Sequence, residues 1–278
     1  MTTHDGGRGD VLVDRRKIVR VAGERLAAAA ASGSPCAPVR DLLGSTDLAL
    51  AYEVQQALTR RRRSGGARIV GRKIGLTSPA VQRQLGVDRP DFGVLFDDMQ
   101  CISDEPLPSE RLLQPKAEAE IAFVLSSDLD TGTLDVDEVR RAVDYAVAAL
   151  EIVDSRIRGW DITITDTIAD NASSGLFVLG ANRVRLADFE PAKVTMALSK
   201  DGAVVSQGDG RACLGDPLHA LSWLARTARG LGAPLRAGDV VLSGALGPMV
   251  TVDPGSQVVA ELSTLGRVTA TFSTRKAP

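Results

Sequence analysis

The sequence predicts an α+β protein in which a helical N-terminal segment precedes a β-rich body. Two observations lead to this class. Before Gly65-Gly66, apolar residues return at helical spacing. After these glycines, short apolar runs alternate with glycine turns, which is typical of strands. We therefore divide the chain into a disordered tail over residues 1–13, a helical segment over 14–66 and a β-rich domain over 67–278.

The helical segment is predicted to contain two helices. The first spans Arg16 to Ala31, with an apolar face, and Ser32-Gly33-Ser34-Pro35 ends it. The second begins at a cap formed by Ser45 or Thr46 and ends in the run Arg60-Arg61-Arg62-Arg63. Because cations are favoured at the negative end of a helix, this run is interpreted as a solvated helix end.

The β-rich domain is predicted to alternate short strands with a few helices. A helix is expected to begin at Asp216 as N-cap with Pro217 in its first turn, and to end at Gly230 or Gly232. The remaining predictions are a strand over 68–76, a short helix from Pro79 to near Gly86, a turn at Pro90–Gly93, a strand over 112–125, a helix over 137–149, a strand over 151–154, a polar loop over 161–174, and strands over 176–179, 240–243, 249–252, 258–262 and 268–272.

Composition excludes several classes of function. The 278 residues carry a formal net charge of −2 with both signs interspersed, so neither nucleic acid nor an anionic membrane is an expected partner. No apolar run approaches the length of about 18 residues that a membrane helix needs. Cys36, Cys101 and Cys213 form no CxxC spacing, which argues against a disulfide framework and favours a reducing cytoplasm. The polar first ten residues have no apolar core of a secretory signal.

The most informative motif is Glu118-Ala119-Glu120 inside an apolar run. On a strand, residues i and i+2 share one face with Cα atoms about 6.6 Å apart, so the two carboxylates point the same way. Such a pair repels itself and resists burial unless a cation lies between its members. Glu151, flanked by apolar residues, is the best third ligand, and all-oxygen ligation favours Mg²⁺ or Mn²⁺ over zinc. Spacing alone leaves a solvated acidic strand edge open as the alternative.

Lys73 and Asp91 are further candidates for the chemistry. Lys73 lies between glycines in Gly71–Gly75, where an ammonium could steady a substrate carboxylate or an enolate. Asp91 precedes Phe92-Gly93, and local sequence alone favours a turn aspartate there and an exposed strand lysine at position 73. The loop over 166–175 offers hydroxyl and backbone donors. His219 is interpreted as an ordinary surface or packing histidine, which leaves little material for a histidine-based site.

Together these segments resemble the 2-keto-4-pentenoate hydratase family of the fumarylacetoacetate-hydrolase-like superfamily. The matching stretches, in the expected order, are GRKIGLTS (71–78), QLGVDRPDFGVLFDDM (84–99), QPKAEAEIAFVL (114–125), ALEIVDSRI (149–157), ITDTIADNASSG (164–175) and AGDVVLSGALGPMV (237–250). The resemblance implies a mixed β-sandwich or roll core and Mg²⁺ or Mn²⁺ held by Glu118, Glu120 and Glu151. It also implies catalytic roles for Lys73 and Asp91. Predicted substrate-binding residues are Leu76, Ser173 and Ser243.

The implied activity is hydration of 2-hydroxypenta-2,4-dienoate (2-keto-4-pentenoate) to 4-hydroxy-2-oxopentanoate, a step in meta-cleavage of aromatic compounds. The cation would stabilise an enolate, and water would add to the conjugated system. The resemblance also suggests a homo-oligomer, with pentamers as one arrangement, and association with a pathway decarboxylase or aldolase.

Three alternatives remain. A 4-oxalocrotonate-type decarboxylase would use the same site to lose CO₂. A hydrolase that cleaves carbon–carbon bonds would use a His–Glu pair, for which neither histidine is well placed. A non-catalytic subunit that supports a decarboxylase would have no need of clustered carboxylates.

Overall fold

A computed structural model describes residues 6–78, 82, 87 and 89–274. Its α-helices are α1 (Gly6–Ser32), α2 (Arg40–Leu43), α3 (Leu48–Ser64), α4 (Val136–Ala142), α5 (Ile164–Ala169) and α6 (Pro217–Gly230). Helix α1 begins at Gly6 rather than Arg16, so it extends into the segment for which a disordered tail is predicted. The predicted short helix from Pro79 to Gly86 lies almost wholly outside the described residues, and the division into three segments stays a prediction.

The strands form two sheets. They are β1 (Ile69–Gly75), β2 (Asp91–Phe96), β3 (Gln100–Cys101), β4 (Pro106–Leu107), β5 (Pro115–Leu125), β6 (Val143–Asp154), β7 (Ser174–Leu179), β8 (Thr195–Lys200), β9 (Ala203–Asp209), β10 (Val240–Leu242), β11 (Val250–Thr251), β12 (Gln257–Leu262) and β13 (Gly266–Phe272). The larger sheet has the order β2-β1-β10-β5-β6-β7-β3, and β11 also pairs with β5. The smaller sheet has the order β4-β13-β12-β8-β9. The predicted α+β class with a mixed β core is confirmed.

The larger sheet curls into a roll. Its two edge strands, β2 and β3, are consecutive in the chain and are joined only by a 3₁₀ turn over Asp97–Met99, which brings the edges together. The Asn171 side chain fastens the β2 edge: its Nδ2 donates to the Val94 carbonyl at 2.9 Å, and its Oδ1 accepts from the Val94 N–H at 2.8 Å. Backbone groups that an edge strand would leave open are thereby satisfied.

Strand β5 separates the hydrophobic core from the interior of the roll. Its residues Ala117, Ala119, Ile121 and Phe123 are buried in the main core together with apolar residues of β12 and β13. The alternate residues Glu118, Glu120 and Ala122 face the other way, and Ala122 belongs to a second apolar cluster with Val147, Phe177 and Leu242. The period-2 alternation of the strand thus places two carboxylates inside the roll.

The N-terminal helices support β2 from outside. Gln55 of α3 is buried, and its Nε2 donates to the carbonyls of Phe92 at 2.8 Å and of Ile168 at 3.0 Å. Tyr52 stacks on Phe92 with ring centroids 4.9 Å apart. Helix α3 therefore contacts both β2, which begins at Asp91, and α5.

Four secondary-structure predictions are wrong. Helix α3 is capped by Asp47, whose side chain accepts from the Leu50 N–H, and not by Ser45 or Thr46. The helix predicted over 137–149 ends at Ala142, and the chain continues as β6 from Val143. A buried central strand is apolar on both faces, so residues 146–150 show no alternation that would distinguish them from a helix. The loop predicted over 161–174 contains α5, whose N-terminus is capped by Thr163 and Asp166. The turn predicted at Pro90–Gly93 is the start of β2.

No helix among the described residues is long and apolar enough to cross a membrane.

Candidate metal centre and active site

Strand register brings three carboxylates together inside the roll. Strands β5 and β6 pair antiparallel, with Glu118 directly opposite Glu151 and Glu120 opposite Ala149. Directly opposite residues on a sheet have neighbouring side chains, and Glu120 lies two residues along the same face. One carboxylate oxygen from each of Glu118, Glu120 and Glu151 lies within 4.8 Å of the others. The tertiary structure therefore unites the three residues for which the sequence predicts a shared cation.

Lys73 enters this cluster from β1. It aligns with Gly93 of β2 and Leu242 of β10, and its side chain is almost wholly buried. The Lys73 Nζ atom lies 3.1 Å from Glu151 Oε1. Three carboxylates and one ammonium leave a net charge of −2, which one divalent cation would cancel. The interpretation of Lys73 as an exposed strand lysine is excluded.

Oxygen atoms at the centre lack partners. Both oxygens of Glu151 and Oε1 of Glu120 are inaccessible to water and accept no hydrogen bond from any described residue. The Lys73–Glu151 ion pair supplies charge but does not meet hydrogen-bond geometry. Because buried polar atoms normally have partners, these orphaned oxygens point to a missing electropositive group. An all-oxygen donor set with this charge fits Mg²⁺ or Mn²⁺.

Burial and mutual repulsion keep the three carboxylates basic. Burial raises the pKa of Glu151 to about 7, although the Lys73 charge opposes the shift. Burial, followed by the charges of Glu151 and Glu118, raises the pKa of Glu120 well above its ordinary value. Burial also raises the pKa of Glu118, which keeps partial solvent exposure although protein atoms surround it densely. These are the shifts expected of ligands without their cation.

The Lys73 ammonium is held in its charged form. Burial alone would lower the pKa of Lys73, but the negative charges of Glu151 and Asp91, followed by those of Glu118 and Glu120, outweigh burial and raise it. At neutral pH, Lys73 is therefore a fixed cation and a hydrogen-bond donor rather than a base.

Asp91 lies beside Lys73 at the start of β2. It aligns with Gly75 of β1, and its carboxylate is buried. Thr167 Oγ1 of α5 donates to Asp91 Oδ2 at 3.1 Å. A Cβ atom at Gly75 would collide with Asp91 Oδ1 and would contact Lys73 Nζ, so this position requires glycine. Burial raises the pKa of Asp91, against the opposing effects of Lys73 and Thr167.

The three predicted substrate-binding residues differ in their surroundings. Leu76 follows β1 with a left-handed φ of 56° and is half-buried. Ser173 is buried, has a φ of 53°, and its Oγ has no partner among the described residues. Ser243 Oγ accepts from the N–H of Ile121 at 3.2 Å and donates to the Gly244 carbonyl at 3.1 Å. Ser243 thus links β10 to β5 beside the centre, and the substrate roles of all three stay predictions.

The sequence analysis did not identify two residues that lie beside the centre, Gly244 and Thr167. Gly244 donates its N–H to Glu120 Oε2 at 2.8 Å and has a φ of 100°. A Cβ atom there would collide with Thr77, and the glycine in the motif around 238–244 was a signal that could have identified it. Thr167 orients Asp91, but nothing in its local sequence marks it among the other hydroxyl residues of its segment.

Comparison with known proteins agrees with this geometry. Residues 83–273 match the family model for the C-terminal region of fumarylacetoacetate (FAA) hydrolase. A Pseudomonas putida F1 protein named TodF product hydratase is 54% identical over 93% of this chain and 97% of its own length. A 2-keto-4-pentenoate hydratase of Burkholderia vietnamiensis is 55% identical over 90% of this chain and 95% of its own length. Among solved structures, the 4-oxalocrotonate decarboxylase of Pseudomonas putida G7 was determined in complex with magnesium and adipate. It is 31% identical to this chain with a TM-score of 0.88, and the match covers 93% of this chain and 98% of the decarboxylase chain. This chain belongs to the fumarylacetoacetate hydrolase family and, within it, to the group of the 2-keto-4-pentenoate hydratases.

Proposed function

We propose that this protein is a hydro-lyase that adds water to 2-hydroxypenta-2,4-dienoate and forms 4-hydroxy-2-oxopentanoate. One observation carries the proposal: Glu118, Glu120 and Glu151 converge inside the roll beside Lys73, with carboxylate oxygens that lack partners. The identity of 54–55% to proteins named as hydratases supports this reaction over others of the family.

Glu118, Glu120 and Glu151 would hold the divalent cation, either Mg²⁺ or Mn²⁺. When bound, such a cation supplies Lewis-acid polarisation of the carboxylate and 2-oxygen of a 2-oxo acid. The related decarboxylase was solved with magnesium, which supports a hard cation of this class.

Lys73 and Asp91 would perform the remaining work. Lys73 stays protonated, so it can donate a hydrogen bond to the substrate oxygen that gains negative charge when the conjugated system forms. Burial raises the pKa of Asp91, which makes its carboxylate a stronger base than an ordinary aspartate, and Thr167 fixes its orientation. The proton of the 2-hydroxyl is lost and C5 gains a proton, which gives the conjugated 2-oxo-3-enoate. C4 then gains the hydroxyl of a water molecule and C3 gains its remaining proton, so the elements of one water are added and nothing leaves. We assign one or more of these proton transfers to Asp91.

A direct assay tests the proposal. Freshly generated 2-hydroxypenta-2,4-dienoate is supplied with Mg²⁺, with Mn²⁺ or with EDTA, and the loss of its ultraviolet absorbance is followed. We expect rapid loss with either cation and none above the spontaneous rate with EDTA. Mass spectrometry should find the mass of one added water. A dienoate that persists in the presence of metal would refute the hydratase assignment.

Decarboxylation is the second candidate, because the decarboxylase shares the fold and 31% of aligned residues. The same centre could stabilise the negative charge left when CO₂ departs. Offering a 2-hydroxymuconate-type substrate separates the two reactions: loss of the mass of CO₂ indicates decarboxylation, and its absence with retained dienoate turnover indicates hydration.

We also propose that the chain forms a homo-oligomer in the cytoplasm, with pentamers as one arrangement, and that it associates with a pathway decarboxylase or aldolase. Free thiols at Cys36, Cys101 and Cys213 suit a reducing compartment. Light scattering coupled to size exclusion tests the assembly, alone and with each partner enzyme. A chain that assembles with a decarboxylase but turns over no dienoate would instead be a non-catalytic subunit.

A further inference from the structure

A basic groove of about 1010 Å³ lies outside the roll, where the end of α3 meets β1 and the loop before β10. Its charged lining residues are Arg60, Arg63, Arg68, Arg72, Arg236 and Asp239. Five cations thus face one acid. The groove is separate from the metal centre, because Arg72 and Lys73 are neighbours on β1 and strand geometry directs them to opposite faces.

Two of the cations are already neutralised. Arg68 Nε lies 2.9 Å from Asp97 Oδ2. Arg236 Nη1 lies 2.7 Å from carboxylate oxygens of both Asp128 and Asp130. Arg60 and Arg63, by contrast, form no ion pair with any residue that the structure describes.

Arg72 is the unusual member of the groove. It is only 7% exposed, and its Nη1 donates to the Gly71 carbonyl at 2.9 Å. Its Nε is buried without a hydrogen-bond partner, and the charge of Asp239 attracts Arg72 without forming an ion pair with it. Oδ2 of Asp239, the acid of the groove, is occupied by the Arg236 N–H at 2.9 Å. Burial lowers the pKa of Arg72, although a guanidinium stays charged in proteins.

Asp239 offsets the charge of Arg72 only without direct pairing, so an anion that pairs directly with this buried cation would lower the cost of its burial further. Three cations without carboxylate partners converge here, from two different elements. Guanidinium groups form charge-assisted, often bidentate hydrogen bonds with phosphate and carboxylate oxygens. We propose that this groove binds a compact oxyanion with two negative charges, which Arg72 contacts at its buried end and Arg60 and Arg63 at its open end.

Calorimetric titration of the metal-loaded enzyme with inorganic phosphate, at an ionic strength held constant with sodium chloride, tests the proposal. We expect one saturable site per chain. The double substitution Arg60→Gln and Arg63→Gln should weaken phosphate binding by tenfold or more, because two cations that face the anion are lost. Arg61→Gln is the matched control, because Arg61 lies in the same helix end but lines a different cavity. Its phosphate affinity should stay within about twofold of wild type.

A titration with succinate identifies the source of the anion. The proposal is supported if either anion binds saturably and the double substitution weakens that binding. The anion that binds more tightly then indicates whether the ligand is a phosphate or a dicarboxylate. The absence of saturable binding to both would overturn the proposal, as would equal losses in the double variant and the Arg61→Gln control. Binding that survives the double substitution but disappears with EDTA would belong to the metal centre and would also overturn it.

A second variant tests the buried end of the groove. Arg72→Met removes a buried charge that forms no ion pair, so the Tm without phosphate should change little. The increase in Tm that phosphate produces in the wild type should disappear in this variant. A phosphate-dependent increase that is unchanged in Arg72→Met would refute the role of Arg72.

Discussion

Replacing Glu120 by glutamine should separate metal binding from stability. Glu120 is fully buried, and its Oε2 accepts a hydrogen bond from the Gly244 N–H at 2.8 Å. Glutamine has nearly the same shape, and its carbonyl oxygen can accept the same bond. The substitution therefore removes one negative charge while retaining the packing of β5 against β10. We expect opposite effects on the metal-free and metal-bound states.

The magnitude follows from the geometry of the centre. Two like charges within 4.8 Å of each other repel by at least about 3 kcal/mol at an effective dielectric constant of about 20. Glu120→Gln removes this repulsion from the metal-free protein, although partial protonation of Glu120 already relieves some of it. The Tm in EDTA should therefore equal or exceed that of wild type. Loss of a direct ligand should weaken metal affinity by at least about 100-fold, or about 3 kcal/mol, because even indirect partners contribute 10–100-fold.

The assay is thermal unfolding with EDTA and along a Mg²⁺ titration, together with calorimetric metal binding and dienoate turnover. Glu105→Gln, at an exposed turn outside the centre, is the matched control and should behave as wild type. A fall of more than about 5 °C in the metal-free Tm would show that Glu120 has a mainly structural role. Unchanged Mg²⁺ affinity would remove it from the ligand set and refute the reasoning.

Four further outcomes are expected. Since the pKa of Glu151 is raised to about 7, its proton must leave before metal binds, so Mg²⁺ affinity measured by calorimetry should fall as the pH drops from 8 to 6. The raised pKa of Glu151 also means that the folded state binds a proton more tightly than the unfolded state. As the pH rises from about 4.5, the ordinary pKa of glutamate, through 7, the metal-free protein should therefore lose about 3 kcal/mol of its free energy of unfolding. Denaturant unfolding measures this loss, and an increase in stability over the same pH window would contradict the prediction. Lys73→Met should reduce kcat by at least about 100-fold with Mg²⁺ still bound, because the donor to the substrate oxygen is lost, and unchanged kcat would exclude that role. Gly75→Ala should destabilise the protein by about 1–3 kcal/mol and displace Asp91, whereas Gly230→Ala, with no neighbour near its Cβ, should do neither in the same unfolding and turnover assays.

The sequence was sufficient where a local pattern has one structural meaning. Alternation in residues 117–123 placed Glu118 and Glu120 on one face of a strand, and the structure has that strand as β5. Asp216 and Pro217 marked the start of α6 through capping chemistry that depends on neighbouring residues alone. The α+β class followed from such local signals.

Local signals failed where burial removes alternation. Residues 146–150 are apolar on both faces because β6 lies between β5 and β7 and beneath the second sheet, so they resembled the continuation of a helix. Asp91 resembled a turn aspartate because local sequence does not reveal that β2 pairs with β1.

By itself, the sequence determined the strand that carries two carboxylates, the scarcity of histidine and thus the preference for a hard cation. Only the tertiary structure decided that Glu120 is buried and Glu118 half-buried rather than solvated. Register places Glu151 opposite Glu118, and the curled sheet brings Lys73 and Asp91 from strands that lie far from β6 in the chain. The reason is physical: hydrogen-bond register and sheet closure are long-range properties, and the charge state of a carboxylate depends on the atoms that surround it.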